Sequence, residues 1–170
     1  QHGEHVHKLS LNASFTCPNR DGTKGIGGCT FCNNASFSPN AKAPDSIESQ
    51  ISRGKAVIAK RTGAKKFLGY FQAYTNTYDE AENLKRLYDR ALAVDNVIGL
   101  SIGTRPDCVP DAVLDLLLDY QNQGHVIWLE LGLQSAFDKS LARVNRGHGW
   151  AEYEDTCVRA RNKGIKVCTH

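Results

Sequence analysis

Residues 66–102 read KFLGYFQAYTNTYDEAENLKRLYDRALAVDNVIGLSI, and they hold one full period of the pattern that decides the fold. Lys66-Phe67-Leu68-Gly69-Tyr70-Phe71 is a short apolar run of strand length. Leu84, Leu87, Tyr88, Ala91 and Leu92 then recur at helical spacing, which predicts an amphipathic helix. Val97-Ile98-Gly99-Leu100-Ser101-Ile102 is a second strand-length run. Strand, helix and strand in that order predict a parallel pair, because parallel strands need a long crossover and the helix supplies it.

The alternation continues on both sides. Upstream, Lys8-Leu9-Ser10-Leu11 predicts a strand, and Ser46 is a candidate cap for a helix in which Ile47, Ile51, Val57 and Ile58 recur near helical spacing. Downstream, Pro110 is expected to open a helix through Val113, Leu114, Leu117 and Leu118, ahead of a strand at Val126-Ile127-Trp128-Leu129-Glu130-Leu131. Helices are expected over 139–144 and 150–161, and a last strand over Ile165-Lys166-Val167-Cys168. Such a chain is α/β with a parallel sheet whose strands are buried on both faces. In a barrel or a doubly wound sheet alike, chemistry gathers at the carboxyl ends of the strands. The polar stretches obey that rule: residues 17–32 follow the first strand, Gln72 to Thr77 the second, Gly103 to Asp107 the third, and Gly132 to Ser135 the fourth.

A length of 170 residues with 41% hydrophobic composition describes one globular domain, and no apolar run is long enough to cross a membrane. The net charge of +3 is too small to indicate a nucleic-acid partner by itself. Arg53, Lys55, Lys60, Arg61, Lys65 and Lys66 gather around one segment, which reads first as a solvated helix face and second as a phosphate-contacting surface. Six cysteines could form three disulfides in a secreted protein. The chain is long enough for a real core, shows no hydrophobic leader at Gln1, and scatters Cys108, Cys157 and Cys168 singly, so a reduced, cytoplasmic setting is expected instead.

Cys17, Cys29 and Cys32 share one glycine-rich loop, FTCPNRDGTKGIGGCTFCN over residues 15–33. Three thiolates from one loop can hold a metal centre while leaving a coordination position open, as a reactive centre requires. A structural zinc needs four ligands from paired units, and only Cys29-Thr30-Phe31-Cys32 forms such a pair; Cys17 would need a distant partner such as His2, His5 or His7. Thiolates equally suit an iron–sulfur cluster, where three ligands leave a fourth iron free, whereas an electron-transfer cluster is expected to have four cysteines. Gly25, Gly27 and Gly28 allow positive φ and close backbone approach, as a loop wrapped around a bulky group needs.

With its aromatic residue just before the second cysteine, Cys29-Thr30-Phe31-Cys32 resembles the cluster loop of the radical S-adenosylmethionine superfamily. Cys17 lies further upstream than that superfamily's commonest spacing, and the longer spacing together with CPNRDGT at 17–23 is similar to the YhcC-like family. FQAYTNTY at 71–78, SIGTRPDC at 101–108, ELGLQS at 130–135 and NRGH at 145–148 extend the resemblance from about Gly3 to His170. The last three also resemble the radical domain of the elongator catalytic subunit, a relative acting on transfer RNA, which makes RNA a candidate substrate by analogy.

The resemblance implies a partial parallel (β/α)6 barrel of TIM-like form, in which residues 1–170 supply five β/α units of a radical S-adenosylmethionine core. A sixth strand and a substrate-specifying C-terminal region are expected beyond His170, and the chain's start at Gln1 without any Met is expected of part of a longer protein. A [4Fe–4S] cluster is implied on Cys17, Cys29 and Cys32, with S-adenosylmethionine on the unique iron. One electron passed from the reduced cluster into the sulfonium would yield methionine and a 5′-deoxyadenosyl radical, which abstracts a substrate hydrogen. An external one-electron donor such as flavodoxin or ferredoxin is implied with it. Position by position, Gln134 and Arg146 match residues that approach the methionyl end of the cosubstrate, and Phe31 would lie near its adenine. Gln72 opens the segment where many relatives carry a Gly-Gly-Glu run for the methionyl amine, a run absent here, and Gly103 stands where some carry a glutamate.

Simpler roles are open to several of these residues. Arg105 is able to pair with Asp107, Glu130 to be a satisfied carboxylate inside a barrel, and His148 to be a surface or turn residue. Cys108, Cys157 and Cys168 read as small core hydrophobes.

Overall fold

Five parallel strands, each joined to the next by a helical crossover, form one sheet in the computed structural model, which describes residues 3, 5–33 and 45–170. The strands are β1 (Val6–Leu11), β2 (Lys66–Phe71), β3 (Val97–Thr104), β4 (Val126–Leu131) and β5 (Lys166–Thr169). The helices are α1 (Ile47–Thr62), α2 (Ala81–Leu92), α3 (Asp111–Asn122), α4 (Asp138–Arg143) and α5 (Trp150–Asn162). Spatial order follows chain order from β1 to β5. That unreversed order is the order of a barrel wall, since a doubly wound sheet reverses direction at a switch point.

Strand alternation separates two chemically different faces. Leu9 and Leu11, Phe67 and Phe71, Leu100 and Ile102, and Ile127, Leu129 and Leu131 point to the helices and are buried there. They meet Ile47 and Ile51 of α1, Leu84, Tyr88 and Ala91 of α2, and Val113, Leu114 and Leu117 of α3. The opposite face carries Lys8, Ser10, Tyr70, Gln72, Ser101, Glu130, Cys168 and His170, so the strands are not apolar on both sides as their sequence suggests. A polar inner face needs partners or ligands for its groups, and Lys8, Ser101 and His170 find one in Glu130.

Boundaries follow the sequence closely, with informative departures. Ser46 caps α1 by accepting a hydrogen bond from the Ser49 N–H. Val57, grouped with the apolar stripe of α1, is 64% exposed. Ten residues on from Ile47 is a rotation of about 280° beyond whole turns, which carries Val57 off the buried side. Pro110 precedes α3 as its N-cap rather than lying inside it, and a 3₁₀ turn at Pro106–Cys108 fills the connection after β3. β3 runs on through Gly103 and Thr104, so the loop expected from Gly103 begins at Arg105.

One buried hydroxyl ties this core to the functional rim. Tyr88 is fully buried between Phe71 and Tyr120, and its hydroxyl donates to the Asn76 carbonyl at 2.6 Å. Tyr88→Phe leaves that carbonyl short of a partner in a dry setting, so we expect a loss of about 1–2 kcal/mol of stability. Urea denaturation should show a lower midpoint with an unchanged slope.

Candidate metal and cofactor site

A cavity of about 300 Å³ opens at the carboxyl ends of the strands, and every loop expected on that rim reaches it. Cys17, Cys29, Phe31 and Cys32 line it from the first loop, Gln72, Tyr74 and Thr75 from the second, and Thr104 and Arg105 from the third. Gly132 and Gln134 follow β4, Arg146 comes from the α4–α5 connection, and Tyr70, Glu130 and His170 come from the inner sheet face. All seven residues singled out in the sequence, Cys17, Cys29, Cys32, Phe31, Gln72, Gln134 and Arg146, therefore face one space.

The cysteine loop is folded by its own backbone. The Cys17 carbonyl accepts from the Arg20 and Asp21 N–H groups, and the Pro18 carbonyl accepts from Lys24 and Gly25. This tight turn sends Asn19 and Arg20 back toward the cysteines. Gly28 N–H donates to the Asn19 carbonyl at 2.8 Å, closing the loop ahead of Cys29. Gly27 and Gly28 lie at φ of 83° and 82°, where an L side chain is strained; Gly25 is needed because the Asn19 side chain packs against it. The closed loop is clasped to the segment after α4: Thr30 N–H donates to the Val144 carbonyl at 3.1 Å, Asn145 Nδ2 to the Gly28 carbonyl at 2.9 Å, and Asn19 Nδ2 to the Asn145 carbonyl.

Cations and amides surround the sulfurs. Arg146 is buried, with Nη1 3.4 Å from Cys29 Sγ, Nη2 donating to the Gly132 carbonyl, and Nε buried without a partner among the described residues. Gly132 makes room for it, since a Cβ there would lie 2.7 Å from Nη2. Asn19 Nδ2 is 3.6 Å from Cys29 Sγ, and Arg20 Nη1 is 3.8 Å from Cys32 Sγ. Arg105 is 2% exposed and takes the simpler of its two readings, pairing with Asp107 through two bonds of 2.9 Å. Burial raises the Asp107 pKa, but hydrogen bonds from Arg105 and Lys24 outweigh it and hold the carboxyl below its ordinary range.

The remaining sequence readings divide. Glu130 is 1% exposed and satisfied on three sides, by Lys8 Nζ, Ser101 Oγ and, at 2.8 Å, His170 Nε2. Burial pushes its pKa up, yet those hydrogen bonds prevail and the net shift is downward. His148 is buried rather than on the surface; its Nδ1 sits 3.2 Å from the Gly149 carbonyl, and desolvation with the Arg146 charge lowers its pKa. Cys108 and Cys157 are buried, and burial pushes the Cys108 thiol up to about 12. Cys168 is a correction: it is only partly buried, because its place opposite Glu130 turns it to the inner face instead of the helix-packed core. All six cysteines are free. Among the basic residues, Lys60, Arg61, Lys65 and Lys66 gather where α1 ends and β2 begins, at the opposite end of the sheet from the cavity.

Among the described residues no three His, Cys, Asp or Glu side chains converge on a position for a single metal ion. The donor set is three cysteines lining one cavity, beside cationic and amide donors. That set suits an anionic, sulfur-rich group of several metal atoms better than one zinc ion. His2, considered as a zinc partner, lies outside the described residues. Sequence reading passed over Asn19, Arg20, Tyr74 and His170. The signal for the first two was their place directly after Cys17-Pro18, where a tight turn returns them to the loop.

Comparison with known proteins follows the same line. A family model for the Radical SAM superfamily matches residues 14–170, and the chain belongs to that superfamily. Protein YhcC of Escherichia coli (strain K12) is 53% identical over 170 residues, which are all of this chain and 54% of that protein, so the chain spans about half of its relative's length. Elongator complex protein 3 of Schizosaccharomyces pombe is 37% identical over 73 residues, 43% of this chain and 13% of that protein. Among solved structures, anSMEcpe with bound AdoMet superposes with a TM-score of 0.59 at 13% identity, covering 96% of this chain and 41% of that one, a likeness of fold. No helix among the described residues is long and apolar enough to cross a membrane.

The Glu130 network gives the site a pH signature. A carboxyl whose folded pKa is lowered stabilises the protein above its unfolded value, near 4.5, and the contribution is lost as pH falls through the folded value. Glu130→Gln should cost about 1–3 kcal/mol near pH 7, discounted from a fully buried pair because Lys8 and His170 are partly solvated. In urea denaturation the difference from the parent protein should be full above the unfolded value near 4.5 and shrink progressively as pH falls below it.

Proposed function

We propose that this member of the radical SAM superfamily is an enzyme whose residues 1–170 form a radical S-adenosylmethionine core, carrying a [4Fe–4S] cluster on Cys17, Cys29 and Cys32. The observation that supports it most is the convergence of those three cysteines on the cavity that Gln72, Gln134 and Arg146 also line. When bound, the cluster supplies the electron that cleaves the carbon–sulfur bond of S-adenosylmethionine, giving methionine and a 5′-deoxyadenosyl radical for hydrogen abstraction.

The chain's own residues bind, orient and enclose. Three thiolates leave one iron of four without a protein ligand, which is the place for a small cosubstrate. Gln134 and Arg146 are assigned to its methionyl end. Arg146 commits Nη1 and Nη2 to Cys29 and Gly132, and its guanidinium charge beside the cavity favours a carboxylate there. Gln134 sits at φ of 72°, an uncommon conformation for a residue with a side chain, and its N–H is held by the His170 carbonyl at 2.8 Å. That backbone sets the direction of the amide. Phe31 is half exposed at the mouth and offers an apolar face to the adenine. Gln72, from the segment lacking a Gly-Gly-Glu run, is assigned to the cosubstrate from the second strand.

The electron comes from an external one-electron donor such as flavodoxin or ferredoxin, in a reducing cytoplasmic setting that suits six free cysteines. An RNA substrate draws no support from the basic segment, whose cluster of Lys60, Arg61, Lys65 and Lys66 lies away from the cavity.

Anaerobic reconstitution tests the proposal. We expect about four irons per chain and, with reductant and S-adenosylmethionine, release of 5′-deoxyadenosine. Cys32→Ala should lose both, while Cys108→Ser, Cys157→Ser and Cys168→Ser keep the iron; stoichiometric zinc without iron uptake would sink the proposal. Gln134→Ala should keep its iron yet bind S-adenosylmethionine more weakly by about 1.5–3 kcal/mol, the value of a charge-assisted hydrogen bond. Titration against the cluster's electron paramagnetic resonance signal reads that loss.

A further inference from the structure

We infer that Asn19, Arg20 and Arg146 form a donor cradle around the sulfurs of Cys29 and Cys32 that raises the reduction potential of the bound cluster. The inference rests on the cluster reading above and gives its loop a second task. Three N–H groups approach two of the three sulfurs, at 3.4 Å and 3.6 Å for Cys29 and 3.8 Å for Cys32, within the longer reach of sulfur as an acceptor.

Each donor is built into place. Asn19 is 1% exposed and anchored to the Asn145 carbonyl, and its Oδ1 occupies space that a Cβ on Gly25 or Gly147 would invade. Arg20 lies across Gly28, where a Cβ would come within 3.2 Å of Nη1, and its guanidinium sits 5.6 Å from the Tyr74 ring centre. Arg146 passes over Gly132 in the same way. Arg20 has no carboxylate partner among the described residues, so its charge is available to the sulfur.

Reduction adds a negative charge to a centre that three thiolates already make anionic. Hydrogen bonds to the sulfurs and nearby positive charge stabilise the more negative state and shift the potential upward. Asn19 and Arg20 approach ligand sulfurs and are assigned no contact with the cosubstrate, so their effect on the potential is separable from cosubstrate binding. Asn19, Arg20 and Arg146 are thus positioning residues for electron entry.

Arg20 provides the test, because its exposed side chain is removable without opening the core. In the reconstituted chain, redox titration followed by electron paramagnetic resonance should show Arg20→Gln with native iron content and a lower midpoint potential. The expected change is about tenfold in the reduction equilibrium, about 59 mV for a one-electron couple. Arg20→Lys, which keeps the charge, should recover at least half of it, and Arg86→Gln, an exposed arginine on α2, should leave the potential unchanged. An unchanged potential in Arg20→Gln at native iron content overturns the inference alone, as does an equal shift in Arg86→Gln. Failure of the unsubstituted protein to take up iron overturns the cluster reading and the inference with it.

Discussion

The clasp between the cysteine loop and residues Val144 to Arg146 is the constraint on which the site depends. Thr30 and Asn19 donate to the carbonyls of Val144 and Asn145, and Asn145 returns a bond to the Gly28 carbonyl. These bonds join segments more than a hundred positions apart and bring Arg146 against Cys29. Arg146 also offers its carbonyl to Arg105 at 2.7 Å, which links the clasp to the end of β3. Without it, the sulfurs would sit on a free loop and the cavity would lose one wall. With it, loop, strand ends and the α4–α5 connection become one rigid frame, as a site that must hold a reactive group requires.

The sheet supplies the floor of that frame through a division of labour between its faces. Large apolar side chains on one face pack the helices and fix strand spacing, so the other face is released from packing and carries polar groups. Glu130 is the centre of this inner face, drawing Lys8 from β1, Ser101 from β3 and His170 from the end of β5. A carboxylate so placed is stable because each oxygen has a partner; unpartnered, its burial would favour the neutral form. The Lys8 ammonium also lies over the Tyr70 ring at 4.5 Å, so the cation is shared between charge and aromatic face.

Much of this is legible in the amino-acid sequence alone. Apolar runs of strand length between helical periodicities specify a parallel order, and β4 begins and ends where hydrophobicity does. The seven candidate residues that the cysteine loop, the strand-end rule and the resemblance point to all line one cavity. What was illegible depends on distance through space. No pattern in the sequence tells that Asn19 meets Asn145, that Arg146 is threaded past Gly132, or that His148 is buried while Val57 is exposed. Cys168 was misread because strand-end residues of a barrel alternate between a packed face and a polar lumen, and composition alone does not say which is which.

The central claim is that three cysteines hold a four-iron cluster whose remaining iron is open to S-adenosylmethionine. Mössbauer spectroscopy of the iron-57-reconstituted chain, with and without S-adenosylmethionine, measures that directly. The account predicts that about one quarter of the iron signal moves on addition of the cosubstrate while the rest stays in place. A spectrum in which no iron site responds, or one in which all respond alike, would contradict it.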